Sequence, residues 1–330
     1  VTPSAEPTLL LTPSAFTFLS GAMAFRSSAA RLNRDVVLVS FARTPIGKFN
    51  GALSSLTATE LGATAIKGAV ARAGLTPEQI DEVIMGNVVS AGIGQAPARQ
   101  ASKFAGLPNS VVCTTVNKVC ASGMKSAMMG AQSIALGQSD IVITGGMESM
   151  SNIPHYMPGA RGGVRLGNAS VIDGIVHDGL WDIYNNQHMG MCAEACAEKY
   201  NFSRDDQDAY CIESYTRAQN ALSGGMFDDE IVSVEIKGRR GAESTFVTTD
   251  EEPNATKIEK ITGLRSAFMK EGTVTAANAS SINDGAAAMV LMSADKAAEL
   301  GITPIARIRG YADAEQVWLE AGSRGLGAGA

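Results

Sequence analysis

The residue in this chain best placed for covalent chemistry is a cysteine between an apolar run and a stretch of small residues. Cys120 stands in Asn117-Lys-Val-Cys-Ala-Ser-Gly-Met-Lys125. If a helix begins just after it, the positive end of the backbone dipole and the unpaired N–H groups favour a thiolate. Ala121, Ser122 and Gly123 leave room for a bulky thioester to approach. Strand, sharp turn, nucleophile and helix is the order of a nucleophile elbow, an arrangement suited to acyl transfer. The competing reading is a core thiol, the usual fate of a free cysteine.

The other reactive groups offer less. His188, Cys192 and Cys196 fall at i, i+4 and i+8, one face of a helix. A metal would want a fourth ligand. With Ala193, Ala195 and Ala197 around them, a packed helix face is the favoured reading. Cys113 and Cys211 read as structural thiols on apolar faces. Gly92-Ile-Gly94 precedes a helix, but the third glycine is missing and no acidic residue follows before Asp140, so a dinucleotide fingerprint is rejected. Lys237, Arg239 and Arg240 read as a solvated turn.

The elements that must position Cys120 alternate. Asp35–Phe41, Glu82–Val89, Val111–Val116 and Asp140–Thr144 read as strands, the first and last as runs buried on both faces. Between them, Thr57-Ala-Thr-Glu60 is a capping box closed by Gly74, Thr76-Pro-Glu-Gln79 is a second box, Pro97–Phe104 is a helix, and 121–136 is a small-residue helix ending at Gly137. This alternation predicts an α/β domain with a mostly parallel, doubly covered sheet. From Ser151 prolines and glycines break the pattern, and 151–272 reads as an insertion of loops and helices, with a helix capped by Ser203 running to about Leu222. Thr273–Ala277 and Ala286–Met292 read as two further strands. A short helix runs from Ser293 to Gly301, and Ile305–Ile308 starts one more strand.

The 330 residues suggest about two domains or one large one. Hydrophobic residues at 45% and charged residues at 18% exclude wholesale disorder. No apolar run is long enough for a spanning helix, so no membrane partner is expected. A net charge of −6 argues against a nucleic-acid surface. Five cysteines at irregular spacing make no disulfide framework and read as thiols of a reducing compartment. Residues 1–34 hold Arg26, Arg31 and Arg34 with no acidic residue after Glu6. That reads as a mitochondrial transit peptide, with a plain leader or sequence upstream of a start at Met23, and a cytoplasmic location, as alternatives. Residues 317–330 are glycine-rich and read as a tail outside the domain.

The Asn117–Lys125 segment resembles the nucleophile motif of thiolases, in the acetoacetyl-CoA (acetyl-CoA C-acetyltransferase) branch. Arg43-Thr-Pro-Ile-Gly47, Gly145-Gly-Met-Glu-Ser-Met150, His188-Met-Gly190, Asp205–Tyr215, Gly272–Ser280 and Asn283-Asp-Gly-Ala286 look like family sequence in family order, so the resemblance covers about 35–316. It implies a layered αβαβα fold. Residues 35–150 and 273–301 would be the N-terminal thiolase domain, 151–272 the inserted loop domain, and 302–316 the start of a C-terminal domain. It implies an acyltransferase that reversibly condenses two acetyl-CoA to acetoacetyl-CoA and CoA through an acyl-Cys120 intermediate, with no prosthetic group. His188, Met189, Phe268 and Ser280 would line the pantetheine arm. Tyr215 would sit at the same site, and Lys260, or alternatively Lys257, would substitute for a basic residue near the adenine. Tyr215, Ala276, Ala277 and Ala279 match potassium-binding positions, and a homotetramer is expected.

The likeness stops near Gln316. The family's second-half N-E-A-F, G-H-P-x-G and C-x-G motifs do not occur; the only histidines are His155, His177 and His188, and the last cysteine is Cys211. The resemblance makes the absent histidine the activator of the nucleophile and the absent cysteine the acid/base. The chain as written is therefore expected to be truncated and inactive. The alternative is a non-catalytic thiolase-like subunit that joins partners through its loop domain. Beta-ketoacyl synthases share the fold and the cysteine but carry a different motif around it.

Overall fold

A computed structural model describes residues 34–238 and 242–313. All but Arg34 of the leader, Arg239 and Arg240, and the tail lie outside the described residues.

One mixed sheet organises the chain. Its main strands are β1 (Val36–Arg43), β2 (Glu82–Gly86), β3 (Val112–Val116), β4 (Ile141–Ser149), β5 (Asn283–Ser293) and the two-residue β6 (Ala306–Arg307), with the two residues Gly47–Lys48 paired to the start of β5. They lie in the order β6-β1-β5-β4-β2-β3. The pairs β4–β2 and β2–β3 are parallel. The pairs β6–β1, β1–β5 and β5–β4 are antiparallel. The expected mostly parallel sheet is corrected here: β5 returns after the long excursion of 151–282 and enters antiparallel between β1 and β4. A second expectation also fails. Thr273–Ala277 is not a strand but a turn-rich loop, and among the described residues the only long strand after residue 272 is β5. Within 302–316, read as the start of a C-terminal domain, Ile305–Ile308 pairs along β1, with Ile305 N–H bonded to Leu38 O and Ile308 N–H to Val36 O.

The sheet is apolar on both faces because successive residues point opposite ways. Val83, Met85, Ile141, Ile143, Val290 and Met292 share one core cluster. Their intervening neighbours Ile84, Val142 and Leu291 share the other. Helix α1 (Ala58–Arg72) covers the first face. Thr57 and Glu60 cap it reciprocally, and it buries Leu61, Ala65, Ile66, Ala69 and Val70 at helical spacing. Helix α2 (Pro97–Phe104) packs beside it. Helix α3 (Ser122–Ala135) covers the second face through Ala131 and Ile134. Each fully buried Leu or Ile contributes about 1.5–3 kcal/mol by area removed from water.

Residues 151–282 form small hairpins and two longer helices, α4 (Met189–Tyr200) and α5 (Arg204–Ser223). Arg43 at the end of β1 ties this region to the sheet. Its guanidinium meets Asp250 at 2.7 and 3.0 Å and Glu230 at 2.6 Å. Burial works against the charge on Arg43, but the two carboxylates outweigh it and raise its pKa. Helix α6 (Ala294–Glu299) follows β5, capped by Ser293. Among the described residues no helix is long and apolar enough to cross a membrane.

Candidate active site

Cys120 lies in the link between β3 and α3, two residues before the helix begins, and its side chain is exposed. The turn is tight. Val119 before it has φ 48°, the left-handed region, which a β-branched residue rarely enters. Ser122 closes the turn: its Oγ accepts from Lys118 N–H at 2.8 Å and donates to Val119 O at 2.5 Å. The start of α3 sits directly on β2. A Cβ on Gly86 would lie 2.6 Å from the Ser122 carbonyl carbon, so only glycine admits the helix there. Ser126, one turn into α3, fastens it to β4 by accepting from Gly145 N–H at 2.9 Å and donating to Gly145 O at 2.8 Å.

Cys120 lines a cavity of about 520 Å³. Its walls include Val88, Val119, Met147, Met150, Ile153 and Leu180, and the polar residues Asn87, Glu148 and Asp284. Glu148 accepts from Val88 N–H at 2.9 Å, Val89 N–H at 3.3 Å and Asn87 Nδ2 at 3.0 Å. Burial pushes its carboxyl up, and these bonds only partly offset it. Asn87 also donates to Met147 O at 3.1 Å, which fixes its amide with Nδ2 toward two acceptors and leaves the buried Oδ1 without a protein partner. An orphaned buried acceptor typically costs about 1–3 kcal/mol. Asp284 accepts from Ser151 N–H at 2.9 Å and Ser151 Oγ at 2.6 Å, which holds the end of β5 to the segment after β4.

The remaining sequence-derived residues fall into three places. His188 stacks on Phe268 with ring centroids 4.8 Å apart. Its Nδ1 accepts from Gly190 N–H at 2.9 Å, so His188 caps α4 instead of sitting on its face with Cys192 and Cys196. Gly190 carries no Cβ because one would lie 2.3 Å from the Phe268 ring. Met189 beside it is exposed. His188 pairs with Trp181, and the preceding Gly179 and Leu180 stand in the wall of the Cys120 cavity. Tyr215, Ala277, Ala279 and Ser280 line a second cavity of about 370 Å³ with Cys211 and Asp250. The two cavities share Ile46, Ser281 and Asn283 in their walls and so adjoin. Ala276 is exposed and stands outside that lining. Lys260 is exposed on a short turn, Ile258–Gly263.

The loop carrying Thr273 to Ser280 is held by two buried acids that sequence reasoning missed. Glu194 on α4 accepts from Thr273 N–H at 2.9 Å, Thr273 Oγ1 at 2.8 Å and Val274 N–H at 2.8 Å. Burial alone would raise its pKa; these bonds reverse the sign and lower it. Asp208 on α5 accepts from Asn278 Nδ2 at 3.1 Å and Arg204 Nε at 2.7 Å. Glu148, Asn87 and Asp284 were missed as well. Each works with partners brought near by the fold, and no spacing along the chain announces them.

Known proteins with this architecture carry the same arrangement of elements. The model of the thiolase N-terminal domain matches residues 36–295, from β1 into α6. Acetyl-CoA acetyltransferase 1 of Arabidopsis thaliana is 55% identical over 284 residues, 86% of this chain and 68% of that protein. Acetyl-CoA acetyltransferase of Schizosaccharomyces pombe is 53% identical over 285 residues, 86% of this chain and 72% of its own. Among solved structures, an acetyl-CoA acetyltransferase from Syntrophomonas wolfei superposes with a TM-score of 0.80 at 42% identity, covering 83% of this chain and 69% of that one. A thiolase from Ascaris suum, determined in complex with coenzyme A, gives 0.78 at 44%, covering 84% and 70%. With the family model matched over residues 36–295 and 55% identity over 284 aligned residues, the chain belongs to the thiolase family.

Proposed function

We propose that this protein is an acyl-CoA acyltransferase whose reaction is the reversible condensation of two acetyl-CoA to acetoacetyl-CoA and CoA. The observation that carries the reading is Cys120 at a strained turn in the wall of the 520 Å³ cavity. The Cys120 thiolate attacks the acetyl carbonyl carbon, a new C–S bond forms, and the bond to CoA breaks with CoA leaving as its thiol after taking a proton. A second acetyl-CoA, deprotonated at its methyl carbon, then attacks acetyl-Cys120; the C–C bond forms and the Cys120 thiolate departs. Thiolysis runs the same steps backward. Val88, Val119, Met147, Met150 and Leu180 give the acyl group an apolar wall beside the thioester.

In this reading the pantetheine arm runs past His188, Met189 and Phe268 toward Ser280, and Lys260 meets the phosphate end. The stacked His188–Phe268 pair next to the Leu180 wall supports that path. Potassium would lie in the adjoining cavity. Tyr215, Ala277 and Ala279 line it, and oxygen donors there suit a hard cation; Ala276 does not fit, since it lies outside that lining. The ion would order the loop and carry no step. The sequence has no histidine after His188 and no cysteine after Cys211. In this reading Cys120 supplies the nucleophile, and both its activation and the deprotonation of the second acetyl-CoA draw on residues of a second half. A homotetramer and a mitochondrial location complete the proposal.

The test is labelling with radioactive acetyl-CoA, on this chain and with the second half of the fold supplied, in potassium and in sodium buffer. Label should reside on Cys120, vanish in Cys120→Ala and persist in Cys192→Ala. Losing general acid–base catalysis costs about 10²–10⁴-fold, so turnover should need the second half. Label that survives without Cys120 would sink the assignment.

A further inference from the structure

Val119 is the only β-branched residue with a positive φ among the described residues, and a chain of hydrogen bonds leads from it to Glu148. Val119 N–H donates to Asn117 Oδ1 at 2.9 Å, and Asn117 Nδ2 donates to Val88 O at 3.1 Å. The Val88 and Val89 N–H groups donate to Glu148 Oε2 at 2.9 and 3.3 Å, and Asn87 Nδ2 donates to Oε1 at 3.0 Å. Asn87 N–H in turn bonds to Val116 O at 3.0 Å, at the end of the strand that leads to Cys120.

We propose that Glu148 and Asn117 are positioning residues for Cys120: Glu148 fixes the 87–89 turn, and that turn, through Asn117, holds Val119 left-handed and presents the thiol to the cavity. A left-handed valine is strained and persists only where its surroundings over-determine it. Ser122 supplies part of that hold from the helix side, and the Asn117 amide supplies the rest from the sheet side. The Glu148 end of the chain is costly to keep. Glu148 is half-buried at a penalty to its charge, and Asn87 keeps a buried oxygen unpaired in order to face it. Such expenditure on one turn, beside one cysteine, is accounted for by the geometry of that cysteine. The role in acyl transfer rests on the thiolase reading; the experiment below does not, because it reads thiol chemistry directly.

Alkylation of Cys120 by iodoacetamide in the full chain is followed by peptide mass spectrometry, with Cys196 as internal reference and thermal unfolding recorded in parallel. Glu148→Ala should slow Cys120 alkylation about tenfold relative to Cys196, the size of a moderate coupling energy. Glu148→Gln should restore most of the rate, since its amide oxygen can still accept from Val88 and Val89 N–H. Asn117 is exposed, so Asn117→Asp tests the same chain without threatening the core. It keeps the acceptor for Val119 and loses the donor to Val88, and should slow alkylation as Glu148→Ala does. The double variant should be no slower than either single one. Parent-like alkylation in Asn117→Asp, no rescue by Gln, or additive effects would each overturn the proposal.

Discussion

Glu148 and Glu194 are two glutamates drawn out of water with opposite consequences. Glu148 is dominated by burial, so its folded pKa stands above the unfolded one. Whatever stability its neutral form gives is full below the unfolded value, about 4.3, and is lost as pH rises through the raised folded value. Glu194 faces two backbone N–H groups and a hydroxyl, so its folded pKa is depressed. Its contribution is full above about 4.3 and lost as pH falls through the lowered folded value. The two Gln variants should therefore show opposite slopes. Relative to the parent, Glu148→Gln should gain stability from acid to neutral pH. Glu194→Gln should be the less stable by about 1–3 kcal/mol at neutral pH, since hydrogen bonds to a charged group are lost, with the gap closing in acid. Urea unfolding at pH 2.5, 4.3 and 7.5 measures both, the upper interval reading Glu148 and the lower one Glu194, and parallel curves for the pair would contradict these environments. Neither glutamate was legible in the sequence. Cys120 was, because the evidence for it is local: a strand, a small-residue turn and a helix in consecutive residues. The partners of Glu148 lie some sixty positions away, and those of Glu194 about eighty.

At the scale of elements, the sequence was most readable where a helix carries its own signals. Pro97–Phe104 matches its predicted bounds because proline opens it and Gly106 in the left-handed region follows it. α1 matches because Thr57 and Glu60 cap each other. Strand ends were less readable: Glu82–Val89 was read three residues longer than β2, while β1, β4 and β5 run past the ends read for them. The apolar pattern of β4 stops at Thr144, but pairing with β5 carries the strand through Gly145 and Gly146 to Ser149. The β-branched Thr273-Val-Thr275 has strand composition, and Glu194 captures its backbone donors before any strand partner does. The seating of α3 on β2 gives the sharpest prediction here. Gly86→Ala places a methyl group against the Ser122 backbone, which cannot swing aside as a side chain would. Overpacking of this kind costs about 1–3 kcal/mol, and it should displace the turn, so Cys120 alkylation should slow with the loss of stability. Gly123→Ala is the control: its Cβ would meet nothing closer than 3.7 Å, and alanine favours the helix by up to about 1 kcal/mol. A Gly86→Ala protein as stable as Gly123→Ala would show that the helix start is not held at that glycine.

For the whole molecule, the layer order was legible from alternating elements, and the strand directions were not. The hydrophobic pattern of β5 is the same read either way, and its direction is set by where the 151–282 excursion delivers the chain. That excursion leaves β3 at one edge of the sheet, paired only with β2 among the described strands. Its first residue, Val112, is 60% exposed, and on the neighbouring helix Met124 is 66% exposed. An open strand edge with apolar side chains around it invites pairing with another chain. The same feature bears on the proposed tetramer and on the alternative of a partner-binding subunit, since either would cover this face. The chain by itself should therefore self-associate. Light scattering coupled to size exclusion should show mass rising with concentration across the micromolar range, and Val112→Lys or Met124→Lys should each reduce it while leaving the unfolding midpoint nearly unchanged, because surface substitutions fall within about ±0.5 kcal/mol. A monodisperse monomer that melts cooperatively, with no response to either lysine, would mean that this edge is tolerated in water and that the contacts between copies lie elsewhere.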